Sequence, residues 1–101
     1  EISIPIRMLG ESARDQFGCR SNLTISYSAH ITGTANVTLT RVILKVNNES
    51  WADSGVISLR DYNNSLTRQV PCGQTFNAIA IANTSDGRTH QSTASLTTSV
   101  P

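Results

Sequence analysis

The sequence is almost without lysine. Lys45 stands alone against seven arginines, and those (Arg7, Arg14, Arg20, Arg41, Arg60, Arg68 and Arg88) are scattered along 101 residues. Charged residues make up 15% of the chain and the formal net charge is +1. A chain so balanced has no field with which to attract nucleic acid or an anionic membrane surface, and neither is expected as a partner. No apolar run approaches the roughly 20 residues of a membrane span, so direct membrane insertion is not expected. No signal-peptide pattern opens the sequence, and the chain is expected to be either mature or cut from something longer.

Catalytic patterns are equally scarce. There is no His-Glu-x-x-His, Cys-x-x-Cys or Gly-x-Ser-x-Gly arrangement. The two histidines, His30 and His90, are far apart, and His30 falls on the polar side of an alternating segment. Acidic residues lie mostly in turn-like stretches, where Asp suits the backbone geometry, whereas a calcium site needs oxygen ligands converging from several directions. The expectation is a protein that is not an enzyme and carries neither cofactor nor metal.

Ser, Thr and Asn are abundant, in the manner of β-rich exported proteins. Two cysteines, Cys19 and Cys72, are compatible with one disulfide or with two buried free thiols; secreted β-modules favour the bridge. Five Asn-x-Ser/Thr sequons, at Asn22, Asn36, Asn48, Asn63 and Asn83, are candidate N-glycosylation sites. At this length one domain with one modest core is expected, spanning residues 1–101.

Period-2 alternation recurs through the chain. Ile2, Ile4, Ile6 and Met8 alternate with Ser3, Pro5 and Arg7, and Pro5 marks that strand as an edge. Residues 10–22 are polar and are expected to form a long first connection containing Cys19. Leu23, Ile25, Tyr27, Ala29 and Ile31 point one way, with Thr24, Ser26, Ser28, His30 and Thr32 opposite. Residues 36–47 form the next expected strand, with Val42, Leu44 and Val46 inward and Arg41, Ile43, Lys45 and Asn47 outward. Trp51 is expected in the loop beyond, folded over an edge, before the turn Asp53-Ser54-Gly55. Residues 56–60 and 66–70 are expected as short strands separated by a turn at Asp61-Tyr62-Asn63-Asn64.

The chain closes with a hairpin: residues 74–83, a polar turn at 84–88, and residues 89–100. Phe76, Ala78, Ala80 and Ala82 share one face of its first strand; Leu96, Thr98 and Val100 share one face of the second. About seven strands without a helical period suggest an all-β, antiparallel β-sandwich. A core of Ile25, Tyr27, Val42, Leu44, Phe76, Ala80 and Leu96 follows. The same register leaves Arg41, Ile43, Lys45, Asn77, Ile79 and Ile81 on an outer face, a candidate contact patch of isoleucines in a polar rim. Isolated outward aliphatics are also ordinary on a sheet.

The stretch 65–92 resembles the second half of a fibronectin type III domain. A Leu-containing strand leads through the corner Pro71-Cys72-Gly73 to Phe76, where the family usually has Tyr. The following strand ends Ala82-Asn83 and runs on to Gly87 and Ser92. Leu23–Ser28 is similar to the second strand of that family, with Tyr27 where Trp is usual, and the usual early Pro cluster is missing. Related immunoglobulin-like domains, bacterial repeats among them, share the closing hairpin. The resemblance implies a seven-stranded, fibronectin III/immunoglobulin-like sandwich in which Cys19 and Cys72 meet at one end. Asp86-Gly87-Arg88 occupies the loop where some fibronectin modules carry Arg-Gly-Asp, but in reversed order, and serves as a Gly turn.

Two functional classes follow as expectations. The first is a non-catalytic extracellular or cell-surface module of a receptor, adhesin or surface glycoprotein, excised from a larger multidomain protein. Its partners would be neighbouring domains of the same chain or another protein. The second is an accessory carbohydrate-binding or spacer module of a secreted enzyme. Sugar-binding sheets usually present exposed aromatics, and this chain has only Phe17, Tyr27, Trp51, Tyr62 and Phe76, so the first is favoured.

Overall fold

The computed structural model describes all 101 residues and contains no helix. Its strands are β1 (Ile2–Ser3), β2 (Ile6–Asp15), β3 (Gly18–Ile31), β4 (Leu39–Val46), β5 (Glu49–Asp53), β6 (Asp61–Pro71), β7 (Thr75–Thr84) and β8 (Thr89–Thr97). In the first sheet β3 is flanked by β6 on one side and by β1 and β2, end to end, on the other. The second sheet has the order β5-β4-β7-β8, and every pairing is antiparallel. The two sheets face each other across a shared core, a β-sandwich 55 Å long and about 20 Å across.

The alternation in β3 works as its sequence suggests. Leu23, Ile25, Tyr27, Ala29 and Ile31 are all buried, and they meet Val42, Leu44 and Val46 of β4 and Phe76, Ala78, Ala80 and Ala82 of β7. Leu96 packs against this cluster while half-buried. At about 25 cal/mol per Å², this inner layer is the main source of stability. The β4–β5 connection is the two-residue turn Asn47-Asn48, both at positive φ (49° and 67°). That geometry matches the twist of a two-residue hairpin, and Asn tolerates it.

Five expectations are corrected. Residues 10–22 are not a long connection: β2 and β3 form a hairpin paired from Ile6↔Tyr27 to Asp15↔Gly18. Its inward side is built from small residues, Gly10, Ser12 and Ser21, which disguise a buried face as a loop. A side chain at Gly10 would lie 3.1 Å from Leu96 Cδ2, so glycine there lets β8 approach. Residues 61–64 are not a turn but the start of β6, while residues 56–60 form no strand beyond one bridge, Leu39↔Leu59. The reason lies in side-chain bonding: Asn64 Nδ2 donates to Tyr27 Oη at 2.8 Å, and Asp61 pairs with His30 at 2.8 Å. Trp51 is in β5 rather than a loop; its ring is 6.3 Å from that of Phe76, and the Arg68 guanidinium lies 4.5 Å above it. This cation–π contact joins the edges of the two sheets. Finally, β8 ends at Thr97, so of Leu96, Thr98 and Val100 the last is exposed.

Cys19 and Cys72 form a disulfide with Cα atoms 5.7 Å apart, closing 53 residues. It ties the β2–β3 hairpin to the β6–β7 corner. Glu1 lies beside Thr32 and Ile2 pairs with Ile31, whereas Pro101 lies beside Arg14 at the disulfide end. The two chain ends are therefore at opposite ends of the long axis.

Candidate contact face

The outer face of the second sheet is set by two strands whose inward positions are already taken. In β4, Val42, Leu44 and Val46 are buried, which turns Arg41, Ile43 and Lys45 outward. In β7, Phe76, Ala78, Ala80 and Ala82 are buried, which turns Asn77, Ile79 and Ile81 outward. The ladder places Ile43 opposite Ile81 and Lys45 opposite Ile79. On the other side Ile79 faces Thr93, Ile81 faces Gln91 and Asn77 faces Ser95. All six expected residues are thus on one surface. The three isoleucines occupy adjacent positions at its centre and are each half-buried.

Part of the rim is paired within the face, while Lys45 carries a free charge at its centre. Arg41 Nε donates to Asp53 Oδ1 at 2.9 Å and its Nη2 to Oδ2, a bidentate pair beside Ile43. Hydrogen bonding from Arg41, aided by the Gly55 backbone N–H, lowers the Asp53 carboxyl to about 2, and Asp53 in turn raises Arg41. Ser95 Oγ donates to Asn77 Oδ1 at 3.0 Å, and Thr89 Oγ1 donates to Asn83 Oδ1 at 3.0 Å. The face thus has an apolar centre and a rim in which Arg41–Asp53, Ser95–Asn77 and Thr89–Asn83 are paired.

The chain matches no protein-family model, no curated protein and no solved structure with which it was compared.

The remaining candidates are dispersed. Asn22 and Asn63 are exposed on the outer side of the first sheet, Asn36 in the β3–β4 loop and Asn48 in the β4–β5 turn; Asn83 is half-buried. His30 pairs with Asp61 on the first sheet, while His90 faces Thr84 across 3.4 Å at one end of the sandwich. The largest concavity, 650 Å³, lies over Pro5, Arg7, Ser26, Ser28, Asn63 and Ser65 and contains no acid–base pair, Arg7 being its one charged residue. No three His, Cys, Asp or Glu side chains converge as metal ligands would.

Sequence reasoning overlooked Arg60. Its guanidinium donates to the carbonyls of Ala35 and Gly33 at 2.8 Å each and reaches those of Val37 and Ile31 at 3.4 Å. It fixes the β3–β4 loop from inside. An arginine at the end of an apolar segment is the one signal for it, and it is indistinguishable in sequence from a solvated arginine.

Proposed function

We propose that the chain is a non-catalytic extracellular module of fibronectin type III or immunoglobulin type, acting within a larger receptor, adhesin or surface glycoprotein as spacer and contact surface. The strand order supports the fold type. β1 and β2 pair with β3 in one continuous register, Ile2↔Ile31 and Ile6↔Tyr27. Counted as one strand interrupted at Pro5, they give seven strands, ordered 1-2-5 and 4-3-6-7 in the two sheets, with connections of the Greek-key kind. The disulfide supports an oxidising compartment, because such bridges persist outside the cytosol. Exposed asparagines at four of the five sequons accord with a surface glycoprotein.

The observation that carries the contact role is the triangle of Ile43, Ile79 and Ile81 within a polar rim that is partly paired with itself. The carbohydrate alternative has less support, since one face of the Trp51 ring lies under Arg68 and the ring stands 6.3 Å from that of Phe76 at a tilt of 55°. Changing Ile79 and Ile81 together to Thr tests the role. The melting temperature of the module should stay nearly unchanged, because β-branching is kept and no core volume is lost. Association of the parent protein, followed by sedimentation or pull-down, should weaken. A double mutant that folds and keeps every association would reduce the module to a plain spacer.

A further inference from the structure

Of the five sequon asparagines, Asn63 alone lines a concavity. Strand register makes the outer face of the first sheet a grid. Arg7, Ser26 and Ser65 form one row across β2, β3 and β6. Pro5, Ser28 and Asn63 form the next: the Ser28 N–H donates to the Pro5 carbonyl at 3.1 Å, and Ser28 lies opposite Asn63. Pro5 and the three serines are small, while the rows beyond carry the bulkier pairs His30–Asp61 and Thr24–Thr67. The sheet therefore dips between Arg7 on β2 and Asn63 on β6, and the dip is the 650 Å³ concavity. Its volume lies within the roughly 300–1,000 Å³ of small-ligand sites.

Its polar groups are unevenly used. The side-chain hydrogen bonds of this region join Ser26 to Ser65 at 3.1 Å and Asn64 to Tyr27 at 2.8 Å. They leave the Ser28 hydroxyl and the Asn63 amide free. Arg7 is exposed and pairs with no carboxylate, the ion pairs of the chain being His30–Asp61, Arg41–Asp53 and Arg88–Asp86. The exposed Pro5 ring and the half-buried Ile6 add a short apolar strip. A donor fork, a hydroxyl and an apolar strip suit a neutral ligand with hydroxyl and amide oxygens around a C–H face, which is the chemistry of an amino sugar. Asn63 and Arg7 stand two strands and one row apart, about 12 Å at sheet spacings. The first sugars of an N-linked glycan span that distance.

The geometry points to a concavity that seats the first N-acetylglucosamine units of a glycan carried by Asn63 of the same chain. This inference rests on the reading of the chain as a surface glycoprotein. In the modification, Asn63 Nδ2 bonds to the anomeric carbon of an oligosaccharide delivered on a lipid diphosphate. The bond from that carbon to the phosphate oxygen breaks, the lipid diphosphate leaves with the electron pair, and one amide proton passes to solvent. Two observations favour a tethered glycan over a free saccharide. The acceptor nitrogen stands at the rim itself. One guanidinium and one hydroxyl, with no aromatic to stack on, hold a free sugar poorly, whereas a short tether keeps its ligand at millimolar effective concentration. Arg7 and Ser28 donate to the acetamide and hydroxyl oxygens, and the C–H face of a ring lies over Pro5. Asn36 in its loop and Asn48 in its turn have no such seat. The seated glycan covers the first sheet and leaves the isoleucine face, on the other sheet, bare.

The test secretes the chain from a eukaryotic host that attaches oligomannose glycans and reads the occupancy of each sequon by peptide mass spectrometry. An endoglycosidase that cuts between the first two sugars is then applied to the folded protein. The glycan at Asn63 should be cut about tenfold more slowly than those at Asn36 and Asn48, the ratio for a seated state favoured by about 1.4 kcal/mol. Arg7→Ser removes an exposed, unpaired side chain and should bring the Asn63 rate up to the others without changing them. Ser28→Gln, which raises the floor, should do the same. Equal rates in the wild type, or an Asn63 glycan that stays slow in both variants, would overturn the proposal. A bare Asn63 beside occupied Asn36 and Asn48 would also overturn it and leave the glycoprotein reading standing. A chain without glycan at any sequon would remove both.

Discussion

β3 and β7 hold equivalent places, each an inner strand of its sheet, yet they are built in opposite senses. β3 turns Leu23, Ile25, Tyr27 and Ile31 inward and presents Thr24, Ser26, Ser28 and His30 to the outside. β7 turns Phe76 and then three alanines inward and presents Ile79 and Ile81 to the outside. Inside, the two are complementary, since large residues on one sheet fill the space left by alanine on the other. Outside, they differ in kind. Thr24 with Thr67 (2.8 Å), Ser26 with Ser65 (3.1 Å) and His30 with Asp61 form cross-strand polar pairs over β3 and β6. Core packing requires nothing of the outer face of β7; strand propensity alone admits isoleucine there, and the proposed contact would make use of it.

The largest test of the contrast is at Phe76, the one bulky inward residue of β7. Phe76→Ala should lower the unfolding free energy by about 3–5 kcal/mol, measured by denaturant titration. A loss below about 1 kcal/mol would mean that the alanine face is not closed by Phe76 at all. Next comes Ala80→Leu, which adds volume opposite the large side chains of β3. It should cost about 1–3 kcal/mol by overpacking; a neutral result would break the claim of complementarity between the strands.

The smallest effect concerns the rim of the outer face. The Asp53 carboxyl is depressed to about 2 in the folded protein against an ordinary value of 3.8. Its contribution to stability is therefore present above about pH 4 and is lost as the pH falls toward 2. Because the group is exposed, the loss is small. A slight fall in melting temperature across that window should be absent in Asp53→Asn. An identical acid profile in the variant would show that the pair with Arg41 adds nothing.

What the sequence made legible follows the same contrast. Leu23–Ile31 could be read directly because large and polar residues alternate without exception. The inward alanines of β7 and the outward isoleucines beside them were equally plain, since alternation fixes sides whatever the sizes. The failures came where the two signals disagreed. Gly10, Ser12 and Ser21 are inward residues without bulk, so the β2–β3 hairpin looked like a loop. Asp61-Tyr62-Asn63-Asn64 has turn composition, but Asp61 and Asn64 find partners in His30 and Tyr27 that only the adjacent strand provides. The candidate contact face was legible because it is made of strand positions. The conformation of the β3–β4 loop was not, because it is set by Arg60 reaching four backbone carbonyls.

The placement of the disulfide has a mechanical meaning. With Glu1 and Pro101 at opposite ends, a pull on both termini runs along the strands and loads the ladders in shear. Once those ladders give way, the segment between Cys19 and Cys72, which are 53 positions apart, remains in a covalent loop that bears no tension. Only residues 1–19 and 72–101 can lengthen, to about 160 Å, whereas the reduced chain could reach about 350 Å. The bridge thus acts as a stop that roughly halves the extended length of the module, and the redox state of one bond sets how far it can yield.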